Sequence, residues 1–215
     1  MTKSVGIIGS GMVGQTLAKG FLRYGYPTMI ASRSEEKRQE LKSSIGGQIK
    51  TGDFEETASF GDIVVIAVKG NAALDAVQTC SDARLNGKTV IDTNNPIAPA
   101  PPENGVLPYF TGQNESLMEQ LQSAAPNAHF VKAFSCVGNA HMVDPDFESR
   151  PSMFICGNDV TAKDEVIEIL DKFGWEIEDM GGVEAARAIE PLAMLWCIPI
   201  FKGSKGNYAI KMLHK

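Results

Sequence analysis

Residues Val5–Gly25 read VGIIGSGMVGQTLAKGFLRYG: an apolar run, glycines at 9, 11 and 14, then an amphipathic stretch. Val5, Ile7 and Ile8 have the branched side chains of a buried strand. Val13, Leu17, Phe21 and Leu22 recur at the spacing that places them on one helix face. The glycines therefore stand at a strand-to-helix turn, and each has a separate task there. Gly9 permits the tight turn, Gly11 lets a ligand approach the backbone, and Gly14 lets the helix lie close to the strand. The amides of Ser10, Gly11, Met12 and Val13 then face an incoming anion at the positive end of the helix, which suits a pyrophosphate.

The next strand, Thr28–Ala31, ends in Ser32-Arg33-Ser34. A site for NAD usually places Asp or Glu here to accept from the ribose hydroxyls. An acid would repel a 2′-phosphate, whereas Arg33 can grip one through two parallel charge-assisted bonds, with Ser32 and Ser34 offering hydroxyls. Contacts of that kind contribute ~1.5–3 kcal/mol each, roughly ten- to a hundredfold in affinity. The expected cofactor is thus NADP(H). Lys37 is a second cation for the phosphate or a plain solvated lysine. Glu35 and Glu36 read as the first turn of the following helix.

Outward from this turn, short Val- and Ile-rich runs alternate with helical patterns, as in a parallel sheet built from βαβ units. Strands are expected at Ser4–Gly9, Thr28–Ala31, Gln48–Thr51, Ile63–Val68, Thr89–Asp92, His129–Ala133, Ser152–Cys156 and Glu176–Asp179. The pattern predicts an α/β fold of the Rossmann type, a doubly wound, mostly parallel sheet with helices on both faces. Ser116 and Glu119 form a capping box before Leu117, Met118, Leu121, Ala124 and Ala125. Asp159 or Thr161 caps a second helix with an inner stripe of Val166, Ile167, Leu170 and Phe173. Five prolines between Pro96 and Pro108 make that segment an irregular loop outside the sheet ladder, either a connector or a wall over the ligand. After Gly181-Gly182 a helical stretch runs from Val183 to about Met194, interrupted at Pro191. The expected division is a nucleotide-binding domain over 1–180 and a small helical segment over 181–215, too short for a core of its own.

With 215 residues, 43% of them hydrophobic, the chain can bury a full core. A formal charge of -6 and a pI near 5.1 argue against nucleic acid or an anionic membrane as partner. The longest apolar run, Pro191–Phe201 (PLAMLWCIPIF), falls short of the ~20 residues of a membrane-crossing helix. Buried against a second copy of the chain it would form a homodimer interface. The start of the chain shows no targeting segment, so the cytoplasm is the expected location. Cys80, Cys136, Cys156 and Cys197 form no CxxC pair, and His129, His141 and His214 are scattered, so no metal site is expected.

Ligands collect at the carboxyl ends of strands in such sheets. Three segments follow strand ends with usable groups. Ala67, Val68 and Lys69 line the ribose or nicotinamide side, and Asn94, Asn95 and Pro96 concentrate polar groups that serve a ribose or cap a turn. Ala133 then leads into Ser135, Cys136, Asn139 and His141. Ser135 and His141 are the only weak candidates for a catalytic role. No Ser-His-Asp order, carboxylate pair or lysine–tyrosine couple marks acid–base chemistry. Hydride transfer between two cofactors, needing chiefly positioning, fits that absence.

GIIGSGMVG, the ASRS-EEK segment, DTNNP, VKAFSCVG, FICGND and GWEIEDMGGVEAARAIEPLAMLW together resemble the coenzyme F420-dependent NADP oxidoreductase family across nearly the whole chain. The resemblance implies hydride exchange between NADP(H) and a deazaflavin or flavin acceptor. It places that acceptor between Ala133–Gly138 and a C-terminal wall of Trp196, Pro199 and Ile200, with Lys202, Lys205 and Lys211 near an anionic tail. The last segment is also similar to the cytosolic NADPH domain of membrane ferrireductases. Ser135-Cys136 departs from the KAFN-T of typical family members and leaves the acceptor open. An NADPH reductase of a carbonyl, imine or ferric chelate, or a nonenzymatic NADP(H) sensor, are the alternatives.

Overall fold

A computed structural model of the chain describes residues 2–46 and 48–215; Met1 and Gly47 lie outside the described residues. In chain order its elements are β1 (Val5–Ile8), α1 (Met12–Arg23), β2 (Thr28–Ala31), α2 (Glu35–Ile45), β3 (Lys50–Gly52), α3 (Phe54–Phe60) and β4 (Ile63–Ile66). There follow α4 (Ala73–Cys80), α5 (Asp82–Leu85), β5 (Thr89–Asp92), α6 (Leu117–Ala124), β6 (His129–Lys132) and β7 (Ser152–Ile155). The chain then forms α7 (Val160–Lys172), β8 (Glu176–Asp179), α8 (Ala186–Ile189) and α9 (Pro191–Phe201). All eight expected strands are present.

Six of them form one parallel sheet in the order β3-β2-β1-β4-β5-β6. β1 lies inside, with Val5 opposite Thr28 of β2 on one side and Ile63 of β4 on the other. The chain winds out from β1 to β3, then returns past β1 to β4, so a crevice opens where the winding reverses. Every residue of β1, β4 and β5 is buried, as expected of parallel strands covered on both faces. β7 and β8 form a separate parallel pair. An antiparallel bridge between Lys132 and Cys156 joins the end of β6 to the residue after β7.

The helix faces read from sequence are the buried ones. Leu17 and Phe21 of α1 are in the core with Val13 and Leu22 at its margin. In α7, Val166, Ile169 and Leu170 are buried, and Phe173 closes the same stripe. The Ser116–Glu119 capping box forms, and of the two candidate caps for α7, Asp159 takes the role by accepting from the Ala162 amide.

Most strand ends fall within one residue of expectation, and three boundaries differ by more. β3 begins two residues late, at Lys50, because pairing with Met29–Ala31 of β2 sets its register. β4 stops at Ile66 because the Val68 amide leaves the ladder and donates to Asn94 Oδ1. Pro191 opens α9 instead of interrupting a helix that runs to Met194; lacking an N–H, proline suits a first turn. The proline-rich loop stays out of the sheet yet makes its own antiparallel bridges, Ile97 with Tyr109 and Glu103 with Val106.

Trp175 is fully buried, and its indole N–H donates to the Met142 carbonyl at 2.9 Å. Trp175→Ala is expected to destabilise the fold by ~3–5 kcal/mol, through a cavity and an orphaned carbonyl. Urea unfolding followed by circular dichroism measures it; a loss below ~1 kcal/mol would contradict this packing.

Candidate active site

The crevice at the end of β1 is a cleft of about 640 Å³. Its lining contains Gly9, Ser10, Gly11, Met12 and Val13 from the glycine turn, Ser32, Arg33, Ser34 and Lys37 after β2, and Ala67, Val68 and Lys69 after β4. Ala31, Phe54 and Thr93 complete it; Thr93 belongs to the polar segment after β5 expected near a ribose, and Ala31 and Phe54 were not singled out from the sequence. A neighbouring 670 Å³ hollow shares Arg33, Phe54, Val68 and Lys69 with it and adds Arg38, Asp53 and Asp75.

The turn has the geometry its glycines imply. Gly9 has φ +128°, and a Cβ there would stand 2.2 Å from the Ala67 carbonyl oxygen; at Gly14 it would stand 2.1 Å from the Gly9 oxygen. Around Gly11 a Cβ would meet no protein atom within 4 Å, so that backbone faces open cleft. The α1 N-terminus has no side-chain cap, which leaves its first amides to bond whatever enters.

Of the six arginines in the chain, Arg23, Arg38, Arg84, Arg150 and Arg187 are ion-paired, and Arg33 has no ion pair or hydrogen bond among the described residues. Its neighbours are committed elsewhere. Ser34 caps α2 by accepting from the Lys37 amide, and Lys37 Nζ pairs with Glu40 at 2.6 Å. Glu35 and Glu36 occupy the first turn of α2, as expected. Arg33 is thus a free guanidinium on the cleft wall, the arrangement that suits a phosphate.

Asn94, Asn95, Pro96 and Ala133 do not appear in the cleft lining. Asn94 is 2% exposed and uses its polar groups inside the protein. Its amide N–H and Nδ2 both donate to Asp92 Oδ1, Nδ2 also reaches the Ile66 carbonyl, and Oδ1 accepts from the Val68 amide. The Asn95 Oδ1 and the Ser135 hydroxyl are buried without a partner among the described residues. Ser135 follows Phe134, a bulky residue held at φ +64°, a strained conformation of the kind that collects near functional sites. His141 instead packs against Phe147 at a tilt, with ring centroids 5.0 Å apart.

Trp196 of α9 reaches this loop: a Cβ on Gly138 would stand 2.5 Å from its ring, so the two surfaces touch. The indole N–H donates to the Tyr208 carbonyl, and the Tyr208 hydroxyl donates to the Trp196 carbonyl. Pro199 lies on the exposed side of the same helix.

Behind the cleft lies a cluster that the sequence reading missed. Lys132, with no exposed side-chain surface, sets its ammonium 2.5 Å from Asp92 Oδ2, 2.8 Å from Glu190 Oε1 and 2.8 Å from the Asn94 carbonyl. Asp92 is wholly buried and Glu190 nearly so. Burial works against the charge on Lys132, but the two carboxylates outweigh it and hold the ammonium above its ordinary pKa. Burial likewise raises Glu190, against the pull of Lys132. Both oxygens of Glu190 also accept from the first amides of α6, those of Leu117 and Met118, at 3.0 Å. The signal available was a lysine inside an apolar strand, which demands a partner; the partner Glu190 is too distant in sequence to be recognised.

The thiols are inert by environment. Burial pushes Cys80 and Cys156 up to about 12 and Cys136 up to about 11, far from any thiolate role at neutral pH. The fold also brings Glu176, Glu178 and His214 together, their ligand atoms within 4.8 Å, a cluster hidden in the sequence by spacing. His214 pairs with Glu178 and Lys211 with Glu176.

A parallel sheet wound about β1, a glycine turn with free amides and a free arginine beyond β2 are the features of a Rossmann-type fold with a nucleotide-shaped cleft. The family model described as NADP oxidoreductase, coenzyme F420-dependent, matches residues 4–96. The F420-dependent NADP reductase of Methanocaldococcus jannaschii is 27% identical over 177 residues, 78% of each chain. A crystal structure from Arthrobacter sp. FB24, described as a candidate F420-dependent NADP-reductase, superposes with a TM-score of 0.91 at 25% identity, covering 99% of this chain and 100% of that one. The metalloreductase STEAP3 of Rattus norvegicus is 28% identical over 200 residues, 91% of this chain but 38% of its own length. The chain thus spans well under half of that relative. The chain is similar to the F420-dependent NADP oxidoreductases, the resemblance its sequence motifs indicated. No helix among the described residues is long and apolar enough to cross a membrane.

Two outcomes follow from the buried groups. Lys132→Met leaves two carboxylates facing each other without a cation, and is expected to cost ~3–5 kcal/mol in denaturant unfolding. In the native protein Cys80, Cys136 and Cys156 are expected to resist a disulfide reagent at pH 8 and to react only after unfolding; three fast-reacting thiols in the native state would refute their placement.

Proposed function

We propose that the cleft binds NADP(H) with its pyrophosphate on the amides of Ser10, Gly11, Met12 and Val13 and its 2′-phosphate on Arg33. The observation that carries this is the unpaired Arg33 guanidinium in a cleft where the adjacent Lys37 and Arg38 are ion-paired within the protein. Ser32 and Ser34 flank it, and Gly11 leaves room for a ligand where any side chain would stand in the cleft. Ala67, Val68 and Lys69 form the opposite wall. On this reading residues 1–180 supply the nucleotide site and 181–215 complete the acceptor side.

The acceptor we assign is a deazaflavin of the F420 class or a related flavin. It would take the hydride that the dihydronicotinamide releases. The chain's own part is to hold both rings and exclude water, and no side chain is required as a proton donor. The strained turn at Phe134, the partnerless Ser135 hydroxyl, Cys136 and the wall of Trp196 and Pro199 are the residues we place beside that acceptor. A second reading, electron delivery to a ferric chelate through a flavin, draws support from the likeness to the metalloreductase over 91% of this chain.

α9 is apolar on all sides, and Pro191, Leu195, Pro199 and Phe201 stay exposed along it. We propose that this face packs against a second copy of the chain in a homodimer. Sedimentation at micromolar concentration should give twice the 23.2 kDa chain mass; a single-chain mass would exclude it.

Arg33→Ala is expected to weaken NADPH binding by roughly ten- to a hundredfold and NADH binding little. Equal losses for both would remove the phosphate assignment. NADPH oxidation with F420, FMN, FAD and ferric chelates tested separately identifies the acceptor. Turnover with F420 supports the first reading, and turnover confined to ferric chelate plus flavin supports the second.

A further inference from the structure

The buried cluster behind the cleft has an odd number of charges. Lys132 contributes one ammonium, while Asp92 and Glu190 contribute two carboxyl groups. Their donor partners favour the carboxylate form of both, against the burial that raises Glu190. Asp92 Oδ1 accepts from the Asn94 amide and from Asn94 Nδ2, and Oδ2 faces the ammonium. Glu190 Oε1 accepts from Met118 and faces the ammonium, and Oε2 accepts from Leu117. Every partner among the described residues is a donor, so a carboxyl proton would have nothing to bond. The cluster therefore holds one negative charge in excess, only partly offset by the α6 amides. The buried Cys156 thiol beside it, held at about 12 by burial, is lowered by Lys132 and raised by Asp92 and Glu190.

That charge lies immediately behind the cleft. Thr93, the residue after Asp92, lines the cleft. Asn94, bonded to both Asp92 and Lys132, holds the amide of Val68, which lines it too. When a dihydronicotinamide gives up hydride, two electrons and a proton pass to the acceptor and the ring gains one positive charge. We propose that the Asp92–Lys132–Glu190 cluster is a fixed negative field that stabilises the cationic ring of NADP+ over the neutral ring of NADPH, and so sets the direction of hydride transfer. Asp92 and Glu190 are then positioning residues that act through the field and touch neither ring. The inference rests on the cleft being the NADP(H) site.

The test is the ratio of dissociation constants, Kd for NADP+ over Kd for NADPH, in the full-length protein. Glu190→Gln and Asp92→Asn each remove one charge at nearly constant shape. Loss of one negative charge behind the cleft is expected to raise the ratio at least about threefold in each variant. A merely structural cluster would weaken both cofactors together and leave the ratio where it was. An unchanged ratio in whichever variant is folded by circular dichroism and binds both forms overturns the proposal. Arg33→Ala is the control, because both cofactors carry the 2′-phosphate: it should weaken both and preserve the ratio. If the wild-type protein binds neither form, the cleft assignment fails instead, a result distinct from an unchanged ratio.

Discussion

An ammonium without solvent is tolerable only where its partners are fixed, and Lys132 has three of them, two from the end of β5 and the turn after it and one from the far end of the chain. Asp92 arrives from the neighbouring strand, the Asn94 carbonyl from the turn after it, and Glu190 from the residue before α9. Because the ammonium must be met, the end of β5, the loop after it and the start of the last helix are held at one point. From there the constraint passes outward through Asn94 to Val68, and through Glu190 to the first turn of α6. The cleft wall and the C-terminal helix thus share an anchor that neither contributes alone.

The nucleotide half was legible because its determinants are local. Strand, turn and helix in residues 5–23 each follow from side chains within a few positions, and the glycines act through their own backbone. Arg33 was readable for the same reason: the end of β2 lies at a fixed place relative to the glycine turn, so the identity of one residue there decides the phosphate question. The capping boxes at Ser116 and the cap at Asp159 span three residues each. Burial stripes on α1 and α7 needed only helical periodicity.

What escaped the sequence is what depends on closure of long loops. Nothing around Glu190 distinguishes it from a solvated acid at a helix start, yet it is buried against Lys132, 58 positions earlier. Asn94 was visible as a polar residue after a strand, but whether its amide faces a ligand or the protein depends on where Asp92 and Val68 come to rest. The Glu176, Glu178 and His214 grouping is invisible for the same reason. The strain at Phe134 has no sequence marker at all, since phenylalanine rarely adopts a left-handed conformation and nothing nearby demands it.

The capping of α6 bears on the order in which the chain can mature during synthesis. Its first four amides all find acceptors: Glu119 and Ser116 serve two from within the helix, and Glu190 serves the other two. A nascent chain that has emerged only as far as β8 already contains all eight strands. It still carries an interior lysine that lacks its Glu190 partner and a helix with two bare amides. The sheet can assemble early, but its last defect is repaired only when residue 190 leaves the ribosome, so completion is a late, long-range step.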